Sequence, residues 1–264
     1  MTGRRARSPH SPRSPVISRG ILAGSEERVF RVLPQSVLAN MRHARHESAL
    51  LWNTIYPRAQ PRLSLRALLA LRPLWGSTPQ VQPDESLLPY YWGFAADGQR
   101  LGALEESLEA VAGRADLLEI DLLLVGQQTL IVVEAKHLAS AGVCGRYSRL
   151  RCPEVHGPAE SECHYWERPG EPFGRLFDFG VRPTAESDPP PCSRHYQLAR
   201  TLLLARDLGA RMGLIPHLWL ILPRSRWKEV EPSWLDFAER VREDGDWRRL
   251  RVLSWESIAR LRPA

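Results

Sequence analysis

Lysine is nearly absent from this chain of 264 residues, in which only Lys136 and Lys228 accompany 34 arginines. Arginine fills almost every position where a cation suffices, so a retained lysine indicates a chemical role for its compact ammonium group. The sequence also lacks an apolar run near the ~18 residues of a membrane helix, and it has no apolar segment typical of a signal peptide. These absences predict a cytoplasmic protein without membrane contact.

Most of the excess positive charge lies at the N-terminus. The net charge is +6, but residues 1–20 contain five arginines and no acid, so the remainder is close to neutral. A segment rich in Arg, Ser and Pro cannot form a core, and we expect a disordered tail over residues 1–20. The alternative is a basic arm that binds phosphates without sequence preference. Residues 21–264 are expected to form a single domain.

Apolar periodicity predicts an α/β fold with one central sheet flanked by helices. Helices are expected at 25–56 with a break at Pro34, and at 62–71, 194–213, 233–243 and 256–262. Strands are expected at 90–96, 117–125, 129–135, 217–223 and 248–255. The segment 103–112 fits either helix or strand. Residues 139–193 are rich in Pro and Gly and are expected to form a long insertion.

Two acids and a lysine accompany the most apolar pair of predicted strands. Asp121 opens one strand, and Glu134-Ala135-Lys136 ends the next. If the turn lies at 127–128, Asp121 and Glu134 oppose each other directly, with Cβ atoms about 5 Å apart. Glu134 and Lys136 are two residues apart and share a face of the strand.

A pair of buried carboxylates repels, and a divalent cation between them offsets this cost. Carboxylate oxygens and a backbone carbonyl are ligands that suit Mg²⁺ or Mn²⁺. Asp121, Glu134 and the Ala135 carbonyl are therefore predicted to bind metal, and Lys136 to hold or polarise a water beside it. The alternative is a charged strand end that is merely solvated.

An acid that opens one strand, followed by Glu-x-Lys on the next, resembles the core motif of the PD-(D/E)XK nuclease superfamily. Asp121, Glu134 and Lys136 match this motif, although Ile120 replaces the usual Pro before the acid. The resemblance covers roughly residues 40–260. It implies a restriction-endonuclease-like core in which a mixed sheet is flanked by helices.

The resemblance also implies an acid on the first helix and a polar residue on the helix after the motif. Glu47 in "RHESALLWNTIYP" and Gln197 in "HYQLAR" occupy these places. A surface ion pair is the alternative for Glu47, and a polar stripe on the helix is the alternative for Gln197. Glu119 shares a strand face with Asp121 and is a further candidate acid.

All four cysteines fall inside the insertion, at Cys144, Cys152, Cys163 and Cys192. Four thiolates suit Zn²⁺ or a [4Fe–4S] cluster, and a long loop needs some such link to stay ordered. The gaps contain no Cys-x-x-Cys, so the alternative is four unlinked thiols. Some nucleases of the resembled superfamily fix an insertion with an iron–sulfur cluster.

Taken together, the resemblance implies a Mg²⁺-dependent endonuclease that hydrolyses phosphodiester bonds in DNA during defence or repair. RNA is the alternative polymer, and a homodimer is compatible with this function. Two other interpretations stay open. One is a catalytically silent nucleic-acid-binding protein of the same fold, and the other is a structural metalloprotein built around the cysteines.

Overall fold

The computed structural model describes residues 22–78, 84–113, 120–137, 142–157, 163–167, 172–180, 182–184 and 189–262. The tail predicted at residues 1–20 and parts of the insertion predicted at 139–193 lie outside these ranges. Within the described ranges, no helix is both long enough and apolar enough to cross a membrane.

The elements alternate along the chain in the manner of an α/β protein. The strands are β1 (Leu63–Ser64), β2 (Ser86–Tyr91), β3 (Leu122–Val125), β4 (Thr129–Ala135), β5 (Ile215–Leu222) and β6 (Leu250–Ser254). The longer helices are α1 (Gln35–Met41), α2 (Glu47–Ile55), α3 (Leu65–Ala70), α4 (Gly102–Ala112), α5 (Tyr196–Met212) and α6 (Trp227–Glu239). Short helices lie at Gly145–Ser148, Pro153–His156, His164–Glu167, Pro172–Leu176, Pro191–Arg194, Asp244–Trp247 and Trp255–Ile258. Turns of 3₁₀ helix lie at Arg28–Arg31, Tyr56–Arg58 and Arg224–Arg226.

One mixed sheet joins the six strands in sequence order, from β1 to β6. Neighbours from β1 to β4 are antiparallel, whereas β4, β5 and β6 run parallel. The carboxyl ends of β4, β5 and β6 therefore meet at one edge of the sheet. Ligands of open α/β sheets commonly bind outside this edge. The predicted α/β class with a sheet flanked by helices is confirmed.

The β3–β4 hairpin has the predicted register. Leu122 pairs with Val133, and the ladder continues in step toward the turn. The amide of Gly126 donates to the carbonyl of Thr129 at 2.8 Å, which leaves Gln127 and Gln128 as the turn. The prediction of a strand from residue 117 was too long at its start. Strand β3 begins at Leu122, so Asp121 precedes the ladder, and residues 114–119 lie outside the described chain.

Strand β4 is buried along its whole length because helices cover both faces of the sheet. Ile131 and Val133 pack in a cluster with the N-terminal helices, while Leu130 and Val132 pack against α4 and α5. A strand covered on both faces has no polar side to alternate with, which explains its continuous apolar sequence. Any charge on this strand is therefore buried, including that of Glu134 near its carboxyl end.

Helix α5 connects β4 to β5 and packs against both strands. Its predicted end at Gly213 is confirmed, since this glycine has a φ of +67° in the left-handed region. The undecided segment 103–112 is helix α4.

Other boundaries were wrong. The helix expected at 25–56 is broken into a 3₁₀ turn, α1 and α2, and α6 begins at Trp227 rather than at 233 because Pro232 is accommodated within it. The strand expected at 90–96 is β2, which ends at Tyr91, where the chain turns through positive φ values at Trp92 and Gly93. The segment expected as a helix at 62–71 starts with β1, and only Leu65–Ala70 is helical.

Candidate active site

The carboxyl end of β4 carries a buried acid beside a largely buried lysine. Glu134 is 2% exposed, and its Oε1 lies 2.8 Å from Nζ of Lys136, whose side chain is 13% exposed. The Lys136 amide donates to the Ile221 carbonyl on β5 at 2.8 Å, and the indole of Trp255 donates to the Lys136 carbonyl at 2.9 Å. These two backbone bonds fix the start of the lysine side chain, so its ammonium is directed at Glu134.

Asp121 reaches the same strand end from the start of β3. Its Oδ2 accepts a hydrogen bond of 2.8 Å from the amide of Ala135. The Asp121 carbonyl accepts a bond of 3.1 Å from the amide of Trp92, which anchors the residue although it lies outside the ladder. The Asp121 carboxylate is thereby held against the backbone at the end of β4. Its donor, Ala135, lies between Glu134 and Lys136 in the sequence.

Glu47 is the first residue of α2, and His46 caps this helix by accepting the amide of Ser48 at 3.2 Å. Oε1 of Glu47 accepts a hydrogen bond of 2.9 Å from the amide of His137. Because His137 directly follows Lys136, the bond joins α2 to the carboxyl end of β4. A surface ion pair, the alternative interpretation for Glu47, is not what holds this side chain.

Helix α5 contributes two polar side chains to the opposite side of the site. Nε2 of Gln197 donates to Oε1 of Glu134, and the Gly142 amide donates to Oε1 of Gln197 at 2.5 Å. A Cβ at position 142 would lie only 2.9 Å from that oxygen, so glycine permits the close approach. One helical turn further on, Oγ1 of Thr201 lies 3.5 Å from Oε2 of Glu134.

The charges of Asp121, Glu134 and Lys136 change one another's pKa values. Burial raises the pKa of Asp121 well above its usual range, and the charge of Glu134 raises it further, against the bond from Ala135. Burial also raises the pKa of Glu134, although the charge of Lys136 opposes this shift. Burial by itself lowers the pKa of Lys136, but Glu134, Asp121 and Glu47 outweigh it and raise that pKa. The site therefore keeps its ammonium and tends to retain a proton among its acids.

All five side chains that the sequence predicted for this site meet there, namely Glu47, Asp121, Glu134, Lys136 and Gln197. Their chemical roles stay predictions. The further candidate, Glu119, lies outside the described residues.

The sequence did not predict the presence of Thr201, Gly142 or the His137 amide at this site. A sequence signal existed for Thr201, since a residue four positions after Gln197 lies on the same helix face. No comparable signal exists for Gly142, because its contact with Gln197 depends on the path of the insertion.

The donor chemistry of the site suits a hard divalent cation. Three carboxylates converge, and one oxygen of Asp121 and one of Glu47 have no hydrogen-bond donor among the described residues. In the same part of the chain, no group of three or more His, Cys, Asp or Glu side chains is placed to hold a metal ion. Binding would therefore require the carboxylates to move closer together, with Lys136 giving up part of its contact with Glu134.

The four cysteines lie in the insertion between β4 and α5, and all have free thiols. Burial raises the pKa of Cys163 to about 11 and that of Cys192 to about 12, and the other thiols add to both shifts. Such thiols are neutral near pH 7 unless a bound metal displaces their protons.

Comparison of the sequence with protein-family models and with curated proteins, and of the fold with solved structures, finds no match. The function must therefore be argued from the geometry of the site itself.

Proposed function

We propose that this chain is a metal-dependent endonuclease that hydrolyses phosphodiester bonds in DNA, with a restriction-endonuclease-like core. One observation carries the proposal. Five polar or charged side chains from α2, the start of β3, the end of β4 and α5 converge on one strand end.

The charge balance of the cluster supports a functional origin. Three acids surround one lysine; Glu134 is 2% exposed, and Asp121 is half-buried. Burying like charges together destabilises a fold, and apolar side chains of similar size would stabilise it better. Perturbed acids that converge at a sheet edge are typical of active sites.

Asp121, Glu134 and Glu47 are the residues that would hold Mg²⁺ or Mn²⁺, together with the Ala135 carbonyl. When bound, the ion would supply Lewis-acid stabilisation of the negative charge that develops on the phosphate. The order of the elements also agrees with the proposed core. An acid-bearing helix precedes the hairpin, and a helix with a polar residue follows it before the parallel strands.

The chain's own groups have distinct tasks in this proposal. Lys136 donates to a water and orients it toward phosphorus, and its charge also offsets that of the scissile phosphate. Gln197 and Thr201 fix the carboxylate of Glu134, so that this acid keeps one orientation during the reaction. The water oxygen forms a bond to phosphorus and releases a proton to solvent, the bond to the leaving oxygen breaks, and that oxygen takes up a proton from solvent. Positioning and electrostatics carry most of the rate enhancement in phosphoryl transfer.

The proposal is tested by incubating the full chain with plasmid, single-stranded DNA and RNA in the presence of Mg²⁺, Mn²⁺ or a chelator. We expect cleavage of DNA with either ion and none with the chelator. Glu134→Gln should abolish cleavage, whereas Glu106→Gln on α4, a side chain that is 72% exposed, should not. A wild-type protein that cuts none of the three polymers would refute the proposal. Binding of DNA without cleavage would favour the silent nucleic-acid-binding alternative.

A further inference from the structure

The insertion between β4 and α5 places its cysteines at or next to the starts of four short helices. Cys144 and Cys152 each immediately precede a four-residue helix, Cys163 precedes a third, and Cys192 lies in the first turn of a fourth. Three of the four cysteines thus share the position just before a helix, and Cys192 lies one residue inside its helix.

These settings bring the sulfurs toward one another. Cys163 and Cys192 pack in the same apolar cluster, and the Cys144 amide donates to the Ser193 carbonyl at 2.9 Å, beside Cys192. Every pair among the four thiols is close enough for a direct electrostatic interaction. Cys152 and Cys192 are each only 8% exposed.

Backbone N–H groups favour the thiolate form of two cysteines. The N–H groups of Glu154 and Val155 lower the pKa of Cys152 and that of Tyr165 lowers the pKa of Cys163, although burial outweighs both effects. N–H donors of this kind stabilise the negative charge of a thiolate, and a metal-bound cysteine is a thiolate.

The insertion is also connected to the candidate active site. Gly142 and Gln197 exchange two hydrogen bonds, since the Gly142 amide donates to the Gln197 side chain and the Gln197 amide donates to the Gly142 carbonyl at 3.2 Å. Gln197 in turn donates to Glu134. Gly142 lies two residues before Cys144. A metal bound by the cysteines would therefore restrain Gly142 and, through it, the contact between Gly142 and Gln197.

We propose that the thiolates of Cys144, Cys152, Cys163 and Cys192 bind one metal centre, a Zn²⁺ ion or an iron–sulfur cluster, that keeps Gly142 against Gln197. Among the described residues, the thiols do not lie close enough together to hold a metal ion, so binding would require the four sulfurs to move toward one another. Zn²⁺ and iron–sulfur clusters share the tetrathiolate chemistry, and experiment separates them. The effect on Glu134 rests on the proposed nuclease function, whereas metal binding does not.

Elemental analysis of the full chain, purified without oxygen and without chelators, tests the centre directly. We expect close to one zinc per chain, or about four irons together with the visible absorption of an iron–sulfur cluster. Cys152→Ser and Cys192→Ser should each lose most of this metal. Arg149→Ser, a change to an exposed residue in the same insertion, should keep it. Wild-type protein with neither metal, or serine variants that retain it, would overturn the proposal.

Hydrogen exchange of the amides at Gly142 and Gln197 tests the connection without relying on catalysis. Removing the metal from wild-type protein should speed exchange at Gly142 at least tenfold, while amides in the middle of β4 stay protected. Unchanged exchange at Gly142 would refute the positioning effect. A chain that binds metal and shows this change but cuts no nucleic acid would leave the metal centre standing and refute the nuclease proposal alone.

Discussion

Replacing Asp121 with asparagine removes one charge from the buried acid cluster and changes little else. The asparagine Oδ1 can still accept the hydrogen bond from the Ala135 amide that Oδ2 of the aspartate now accepts at 2.8 Å. The side chains have nearly equal volume, so no cavity is created. What disappears is the charge that repels Glu134, so we expect Asp121→Asn to fold and to be more stable than wild type when no metal is bound.

The gain in the free energy of unfolding caused by Asp121→Asn should increase with pH. The pKa of Asp121 is raised on folding, chiefly by burial and then by Glu134, so the folded chain holds a proton that the unfolded chain releases. Wild-type stability therefore falls as pH rises above the unfolded pKa of about 3.9, and it stops falling above the folded pKa. Each pH unit in this window costs about 1.4 kcal/mol, so the loss by pH 7 cannot exceed about 4 kcal/mol. Since relaxation and water entry reduce such costs, we expect Asp121→Asn to gain about 1–3 kcal/mol at pH 7 and nothing below pH 4.

Urea unfolding from pH 4 to pH 8, with chelator present, measures this difference. Asp246→Asn is the matched control, because Asp246 is a buried aspartate that lies 2.8 Å from Arg206 and 3.6 Å from Arg249. Its replacement breaks ion pairs and should destabilise the chain by about 1–3 kcal/mol. Mg²⁺ should then stabilise wild type and not Asp121→Asn. If Asp121→Asn is no more stable than wild type at pH 8, the acids do not form a repulsive buried cluster and the reasoning fails.

Three further predictions concern catalysis and the tail. Lys136→Arg should fold and bind DNA but lose about 10²-fold in single-turnover cleavage, because a displacement of the water by about 1 Å is that costly. Lys228→Arg, at an exposed position, should cleave at the wild-type rate. Equal rates for the two variants would show that Lys136 acts only as a generic cation. Gln197→Ala frees Glu134 and should lower cleavage about tenfold at unchanged DNA affinity, whereas a change confined to affinity would show that Gln197 contacts substrate rather than Glu134. Removing residues 1–20 should leave the urea midpoint unchanged and weaken DNA binding mainly at low salt, and loss of folding would contradict the prediction of a disordered tail.

The hairpin shows how far local rules extend. The alternation of side chains along a strand, with a turn at Gln127 and Gln128, was enough to predict the register that brings Asp121 near Glu134. The same rules predicted that Val133 faces the core. They did not predict that Asp121 lies outside the ladder, because the carboxylate itself takes the Ala135 amide.

The rest of the site depended on contacts that sequence spacing cannot show. Glu47 and Gln197 were named only through a family resemblance, and their partners, the amides of His137 and Gly142, are backbone groups without a sequence signature. The prediction of helix boundaries was wrong for a related reason. Pro232 is an unfavourable helix residue, yet α6 contains it because packing of the helix on the sheet outweighs its local cost.

The use of cations in this chain follows from the shape of each group. Arg251 is 2% exposed, and its guanidinium donates to the carbonyls of Leu69 and Leu71 while it lies over the ring of Trp219 at 5.4 Å. Both bonds come from Nη2, and the aromatic face of Trp219 matches a planar cation. At the candidate active site, the ammonium of Lys136 lies beside an oxygen of Glu134 that already accepts a hydrogen bond from the side-chain amide of Gln197.

Oε1 of Glu134 accepts from Gln197 and lies 2.8 Å from the ammonium of Lys136. A compact ammonium can share that oxygen and still direct other donors into the cavity, whereas a guanidinium would need the space that Gln197 occupies. This geometry accounts for a lysine at position 136 in a chain that otherwise uses arginine almost everywhere. It also makes Lys136 and Gln197 mutually dependent. The loss in cleavage caused by Lys136→Arg should therefore be smaller in a Gln197→Ala background than in wild type, and strict additivity of the two losses would show that the groups act independently.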